Sequence, residues 1–95
     1  MEGATLFYVY IIQSQVDNSL YIGYSKNPRT RLFKHNSSSA GYTSRKKPWS
    51  IVYIEEFKSK TEAIKREKKL KAWKDKSMIK DLINSSNNVV GSFRD

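Results

Sequence analysis

One carboxylate in the second half of the chain lies among residues that a helix would bury. The apolar residues at helical spacing around Glu67 are Ala63, Ile64 and Leu70. A helix places positions three and four apart on one face, and burying an unpaired carboxylate there would cost on the order of several kcal/mol. Glu67 therefore either faces a cleft, where it meets a metal ion or a basic group, or lies at the edge of this face and pairs with Lys68 or Lys71 of its own helix.

An arginine and the only histidine of the chain form a second candidate pair. Asn27 and Pro28 suit the N-cap and the first turn of a helix, which predicts a helix over residues 28–36. Arg31 and His35 are four residues apart on it and share a face. A guanidinium can stabilise the charge of a reacting phosphate, and an imidazole can move a proton. A single histidine is nevertheless more often structural than catalytic.

Four tyrosines lie on two short segments that have the composition of β-strands. The segments are residues 6–13 and 20–24, and the tyrosines are Tyr8, Tyr10, Tyr21 and Tyr24. Aromatic and β-branched residues favour strands, and the polar residues 16–19 between the two segments predict an antiparallel hairpin. The tyrosines would either fill a core or present hydroxyl groups to a substrate. Alternation does not decide between Tyr8 and Tyr10, because both point to one face of a regular strand.

The remaining segments predict a small α+β domain. Residues 49–57 (WSIVYIEEF) indicate a third strand. A helix capped by Ser59 or Thr61 follows it, and a further helix spans residues 75–84. The order β-β-α-β-α-α predicts a three-stranded antiparallel sheet flanked by helices. We expect one domain in residues 1–84 and a flexible tail in residues 85–95.

The charge balance indicates a polyanionic partner. The 95 residues carry 18 Lys and Arg against 9 Asp and Glu, which gives a formal net charge of +9. Such an excess suits nucleic acid or an anionic membrane, and otherwise makes a well-solvated surface. The residues assigned to a nucleic-acid-binding surface are Arg45, Lys46, Lys47, Lys65, Lys68 and Lys69. The composition favours burial of Trp49 and Trp73 over base stacking.

The residue types that are missing limit the chemistry. The sequence has no cysteine and one histidine, which excludes disulfides, thiolate metal sites, a cysteine nucleophile and a multi-histidine zinc site. A metal ion would take carboxylate and water ligands, which favours Mg²⁺ or Mn²⁺. The longest apolar run, residues 6–12, is far shorter than the roughly 20 residues that span a bilayer, and the start of the sequence does not resemble a signal peptide. We expect a cytoplasmic protein without a membrane partner, most simply a monomer.

Taken in order, these residues resemble the GIY-YIG nuclease superfamily. Tyr8-Val9-Tyr10 and Tyr21-Ile22-Gly23 resemble its two-part signature, with Tyr8 at the place of the first glycine. YSKNPRTRLFKHN resembles the family's helix with its arginine, and EAIKREKKLK resembles the helix that carries its metal-binding glutamate. The longer stretch YTSRKKPWSIVYIEEFKSKTEAIKREKKLKAW is similar to small stand-alone bacterial members. The resemblance covers residues 6–84 and extends to the N-terminal catalytic domain of the incision subunit of nucleotide-excision repair.

The resemblance implies a divalent-metal-dependent endonuclease that hydrolyses DNA in repair or recombination, with RNA as the other candidate substrate. The implied site has one Mg²⁺ or Mn²⁺ ion on Glu67 and places Arg31 on the phosphate. Tyr10 or Tyr21 would activate or orient the water, and His35 would assist proton transfer or positioning. The resemblance thus selects Tyr10 and Tyr21 as site residues, and leaves Tyr8 and Tyr24 to packing or to the rim.

Two other functions are compatible with the sequence. Many catalytic relatives have an asparagine in the helix beyond the glutamate, whereas residues 76–83 contain none and Asn84 comes late. The chain would then be a GIY-YIG-fold module that binds nucleic acid without useful catalysis. The third interpretation is a lysine-rich protein-interaction domain, which predicts no affinity for nucleic acid at physiological salt.

Overall fold

The computed structural model describes residues 5–39, 41–73 and 76–85, and its elements follow the predicted order. The strands are β1 (Phe7–Ser14), β2 (Leu20–Ser25) and β3 (Trp49–Phe57), and the helices are α1 (Pro28–Ser37), α2 (Lys60–Ala72) and α3 (Lys76–Ser85). A short 3₁₀ helix over Tyr42–Arg45, which the sequence did not predict, lies between α1 and β3. Residue 75 of the last predicted helix and residues 86–95 of the predicted tail lie outside the described residues. No helix in the described ranges is long and apolar enough to cross a bilayer.

β1 is the central strand of the sheet. The strand order is β2-β1-β3, and both pairings are antiparallel. Residues 9–12 of β1 are fully buried, because the strand is paired on both sides and covered on both faces; this explains its continuous run of apolar residues. The predicted α+β class with a three-stranded antiparallel sheet is confirmed, and β2 and β3 form the two edges.

Alternate residues of β1 point to two separate cores. Val9 and Ile11 belong to a cluster that apolar residues of α2 and α3 complete. Tyr10 and Ile12 belong to a second cluster, against which Leu32 of α1 packs. α2 and α3 therefore cover one face of the sheet, and α1 covers the other.

An extra residue in β3 changes which side chains face each core. Tyr53 opposes Ile11 and Ile51 opposes Ile12 across the pairing, which leaves Val52 as a bulge. Val52 and Tyr53 consequently pack on the same face, the one covered by α2 and α3. Strict alternation from Trp49 onward would have turned Tyr53 to the opposite face.

Side-chain caps fix where the first two long helices begin. The Asn27 side chain accepts a hydrogen bond from the Thr30 amide at 3.1 Å, and Ser59 accepts one from the Glu62 amide at 3.2 Å. Each bond satisfies one of the backbone donors that a helix start leaves without an intrahelical partner. The predicted helix start at Asn27-Pro28 is confirmed, and Ser59 is the cap of α2.

One side chain connects the end of α1 to the start of β3. Asn36 Oδ1 accepts a hydrogen bond from the Trp49 amide at 2.6 Å, and Asn36 Nδ2 donates to the Trp49 carbonyl at 3.1 Å. Both groups of the amide are thus used against one backbone residue of an edge strand. This contact holds α1, which carries Arg31 and His35, in position against the sheet.

Replacing Asn36 by alanine is expected to lower the free energy of unfolding by about 1–3 kcal/mol, because it leaves partly buried backbone groups of Trp49 without partners. Urea unfolding at neutral pH measures this loss. Ser37→Ala is the control at an exposed position of the same helix, and should change the value by less than about 0.5 kcal/mol. An unchanged urea midpoint in Asn36→Ala would show that this contact does not hold α1 in place.

Candidate active site

The candidate site is a cleft at the free edge of β2. Its volume is about 410 Å³, and its lining residues are Tyr21, Gly23, Tyr24, Ser25, Lys26, Arg31 and Glu67. Arg31 lies on α1 and Glu67 on α2, which cover opposite faces of the sheet. Side chains from opposite faces can meet only around an edge, so the position of β2 as an edge strand makes this site possible.

Two of the predicted site residues lie beneath the cleft rather than on it. Tyr10 is fully buried and His35 is 8% exposed, and the Tyr10 hydroxyl lies 3.1 Å from His35 Nε2. Burial raises the pKa of Tyr10 to about 12, against the opposing effect of Arg31. The Tyr10 hydroxyl therefore keeps its proton at physiological pH and is not available as a phenolate base.

The positive charge of Arg31 acts on both members of this buried pair. Burial lowers the pKa of His35, and the positive charge of Arg31 lowers it further, so the imidazole is neutral at pH 7. Arg31 lies near the same hydroxyl, and its positive charge opposes the rise in the pKa of Tyr10.

Tyr21 connects the buried pair to the open cleft. Its ring packs edge-on against the His35 imidazole, with centroids 4.7 Å apart, and lies 6.5 Å from the Tyr10 ring and 6.4 Å from the Trp49 ring. These contacts hold an aromatic side chain that is itself part of the cleft wall. Of the two candidate tyrosines, Tyr21 is the one that faces the cleft.

The glycine of the second signature segment makes room for Tyr10. Gly23 lies directly opposite Tyr10 in the β1–β2 pairing, and a Cβ at this position would come within 2.6 Å of the Tyr10 hydroxyl oxygen. Real Cβ atoms do not approach that closely, so any other residue would displace the hydroxyl. Gly23 is a functional position that was not among the predicted site residues, although a glycine inside a strand is a signal of such a close approach.

Glu67 fulfils both of the alternatives that the sequence left open. Its side chain is 15% exposed and forms an ion pair with Lys71, one turn later, at 3.1 Å. The same residue lines the cleft with Arg31, and its charge contributes to the raised pKa of Tyr10. The sequence offered the pair with Lys71 and the role of metal ligand as alternatives for Glu67. In the structure the Glu67 carboxylate that lines the cleft is also the one that pairs with Lys71.

The cleft fits a divalent ion held by one protein carboxylate. In the part of the chain that the structure describes, no three acidic, histidine or cysteine side chains come together, so Glu67 would be joined by water ligands. Mg²⁺ commonly keeps several waters and binds proteins through one or two carboxylates. The cleft also contains Lys26 and Arg31, so it combines a metal-type ligand with cations that suit a phosphate.

The six basic residues predicted to bind nucleic acid lie outside the lining of this cleft. Arg45, Lys46 and Lys47 lie at the end of the 3₁₀ helix, and Lys65, Lys68 and Lys69 lie exposed on α2. Lys46 forms an ion pair with Asp17, and Lys47 Nζ donates a hydrogen bond to the Ser38 carbonyl at 2.9 Å. Lys46 thus connects its loop to the β1–β2 turn, and Lys47 connects it to the end of α1. The role of all six in binding stays a prediction.

The His35 titration can be measured without ambiguity, because this is the only histidine. We expect an NMR midpoint below the ordinary value of 6.5, since burial disfavours the charged imidazole. Arg31→Gln should raise the midpoint while leaving it below 6.5, since burial is the larger cause.

The lowered pKa also sets the sign of its effect on stability. The unfolded chain binds a proton more readily than the folded one, so this contribution is present above about pH 6.5 and is lost as the pH falls through the folded pKa. A midpoint above 6.5, or one that Arg31→Gln does not move, would contradict the arrangement around His35.

Comparisons with known proteins agree with this geometry. A family model described as the GIY-YIG catalytic domain matches residues 6–80. UPF0213 proteins of Staphylococcus saprophyticus and Staphylococcus haemolyticus are 40% and 42% identical over 74 residues, which are 77% of this chain and 89% of each relative. The solution NMR structure of a UPF0213 protein from Bacillus halodurans is 31% identical, covers 86% of both chains and has a TM-score of 0.57. The resemblance seen in the sequence is confirmed: the chain belongs to the GIY-YIG family.

Proposed function

We propose that this protein is a divalent-metal-dependent endonuclease that hydrolyses phosphodiester bonds in DNA, in repair or recombination. The observation that carries the proposal is the meeting of Arg31, Tyr21 and Glu67 in one cleft at the β2 edge. Phosphodiester hydrolysis needs a positive group for the developing charge, a group that orients water, and a metal ligand. The cleft contains one candidate for each role.

Each side chain has a role that follows from its position. Glu67 would hold one Mg²⁺ or Mn²⁺ ion, which when bound supplies charge to the phosphate and acidifies a coordinated water. Arg31 binds the phosphate oxygens, and Tyr21 orients the attacking water from the cleft wall. Tyr10 and His35 are positioning residues: they form a buried hydrogen-bonded pair beside Arg31 and the Tyr21 ring.

The exposed lysines and arginines would hold the rest of the substrate. Contacts from such side chains to phosphates bind nucleic acid without reading its sequence, and they weaken as salt rises. This agrees with a net charge of +9 on a small domain. We assign this role to the predicted surface residues of α2 and of the 3₁₀ helix.

One observation favours the alternative of a binding module. The Lys71 ammonium already pairs with the Glu67 carboxylate at 3.1 Å, so a metal ion must compete with an internal cation. If Lys71 stays bound to Glu67 and excludes the metal ion, the protein would keep its fold and its affinity for nucleic acid but would not cleave it.

The central test is cleavage of plasmid, single-stranded and branched DNA with Mg²⁺ or Mn²⁺. We expect Glu67→Gln to lower the rate by about 100-fold or more, and Arg31→Lys to lower it by about tenfold or more, because lysine keeps the charge without the planar pair of donors. Glu56→Gln, at an exposed carboxylate of β3, is the matched control and should retain the wild-type rate.

The outcomes separate the two candidates. Cleavage that persists undiminished in Glu67→Gln would overturn the assignment of the site. Salt-sensitive DNA binding that neither substitution changes, together with no turnover under either metal, would identify the binding module instead.

Removing the competing cation is expected to strengthen metal binding. Lys71→Met should lower the dissociation constant for Mn²⁺ by about two- to fivefold, because it frees the carboxylate of a partly exposed ion pair. Titration calorimetry or the Mn²⁺ paramagnetic resonance signal measures this without substrate. Lys80→Met, an exposed lysine of α3, removes the same charge elsewhere; equal affinities in the two variants would show that Lys71 does not compete.

A further inference from the structure

A second, apolar cavity lies beside the cleft, where β2 meets the end of α2. Its volume is about 340 Å³, and its lining residues are Leu20, Tyr21, Ile22, Leu70, Lys71, Trp73 and Ile79. This size is at the lower end of cavities that bind one small organic group, and is too small for a helix or a duplex. Aliphatic walls, the Trp73 indole and one ammonium group define the chemistry of an occupant: a flat, apolar ring attached to an anion.

Two residues connect the walls of the cavity to the candidate site. Tyr21 lines both the cavity and the cleft. Lys71 lines the cavity and also contacts the Glu67 carboxylate at 3.1 Å. A strand whose phosphate lies between Arg31 and Glu67 therefore has this cavity as its immediate neighbour.

The Trp73 indole, which forms one wall of the cavity, is held in place by contacts with neighbouring residues. The Arg66 guanidinium lies 5.9 Å from the Trp73 ring centroid, and Arg66 Nε donates to the Glu55 carboxylate at 2.8 Å. The Trp73 amide also donates to the Leu70 carbonyl at 3.2 Å. An aromatic ring that is already fixed loses little freedom when a second ring stacks or packs against it.

We propose that this cavity takes an unstacked nucleobase next to the phosphate bound in the cleft. The substrate is then a nucleic acid with an unpaired base at the cut: a single strand, a branch point or a flipped-out nucleotide. Base–aromatic contacts tolerate every sequence, since each base has a π-face, whereas a base inside a duplex is stacked and does not reach the cavity. The proposal rests on the proposed function, because it needs a strand that runs past Arg31 and Glu67.

The test compares strands of equal charge by fluorescence anisotropy, without divalent metal and at one fixed salt concentration. One probe is a labelled thymidine oligonucleotide of about 8 nucleotides; the other has the same backbone with every base replaced by an abasic site. Because both carry the same phosphates, the electrostatic contribution cancels. We expect the strand with bases to bind about tenfold tighter or more than the abasic strand.

Two variants locate the effect. Trp73→Leu should weaken binding of the strand with bases by about fivefold or more and leave the abasic strand unchanged. Phe33→Leu makes the same change on α1, where the side chain is 70% exposed and outside the cavity, and should change neither strand. Quenching of tryptophan emission by the strand with bases, and not by the abasic strand, adds a measurement on the unaltered protein, in which Trp49 is buried.

The failures of the two proposals are distinguishable. Equal binding of the two strands by the wild type would overturn the nucleobase cavity, and so would equal losses in Trp73→Leu and Phe33→Leu; neither result bears on cleavage. Absence of cleavage under either metal would overturn the nuclease, whatever the strands show. If Trp73→Leu does not fold, the strand comparison and the quenching on the wild type decide alone.

Discussion

The close passage of the Tyr10 hydroxyl over Gly23 is the constraint on which the candidate site depends. A Cβ at Gly23 would lie 2.6 Å from that oxygen, so the absence of a side chain on the edge strand allows the central strand to send a hydroxyl toward α1. There it meets His35 at 3.1 Å, and the nearby charge of Arg31 acts on its pKa. The sheet thus positions the imidazole of α1 through one buried phenol, and burial keeps that phenol neutral.

The cleft and its surroundings contain more positive than negative side chains, which favours binding of an anion. One carboxylate, Glu67, lies close to the cations Arg31, Lys26 and Lys71. Without a metal ion, Lys71 keeps the carboxylate from lying unpaired in a partly buried place. The same lysine lines the apolar cavity on the other side, so movement of its ammonium group would couple the metal ligand to whatever enters there.

Local chemistry in the sequence was enough to predict the three strands and the three α-helices. The strands follow from aromatic and β-branched runs, and the helix starts follow from Asn27 and Ser59, because caps act within one turn. The structure confirms the antiparallel sheet with its flanking helices, and the family match confirms the resemblance carried by the ordered motifs. The sequence could not show how deeply each side chain is buried. Tyr10 and Tyr21 are the same residue type, so the sequence does not distinguish them. Only the packing of α1 against the sheet makes Tyr10 a buried residue and Tyr21 a residue of the cleft lining.

The extra residue in β3 makes the length of this strand more constrained than its composition. Val52 allows Ile51 and Ile54 to face one core while Tyr53 faces the other. Exchanging one apolar side chain for another of similar volume leaves this division intact. Deleting a single residue would turn every side chain between the bulge and α2 to the opposite face of the sheet. This includes Glu55, which accepts a hydrogen bond from Arg66. Family members that share this fold are therefore expected to vary freely in the residue types of β3 and very little in the number of its residues.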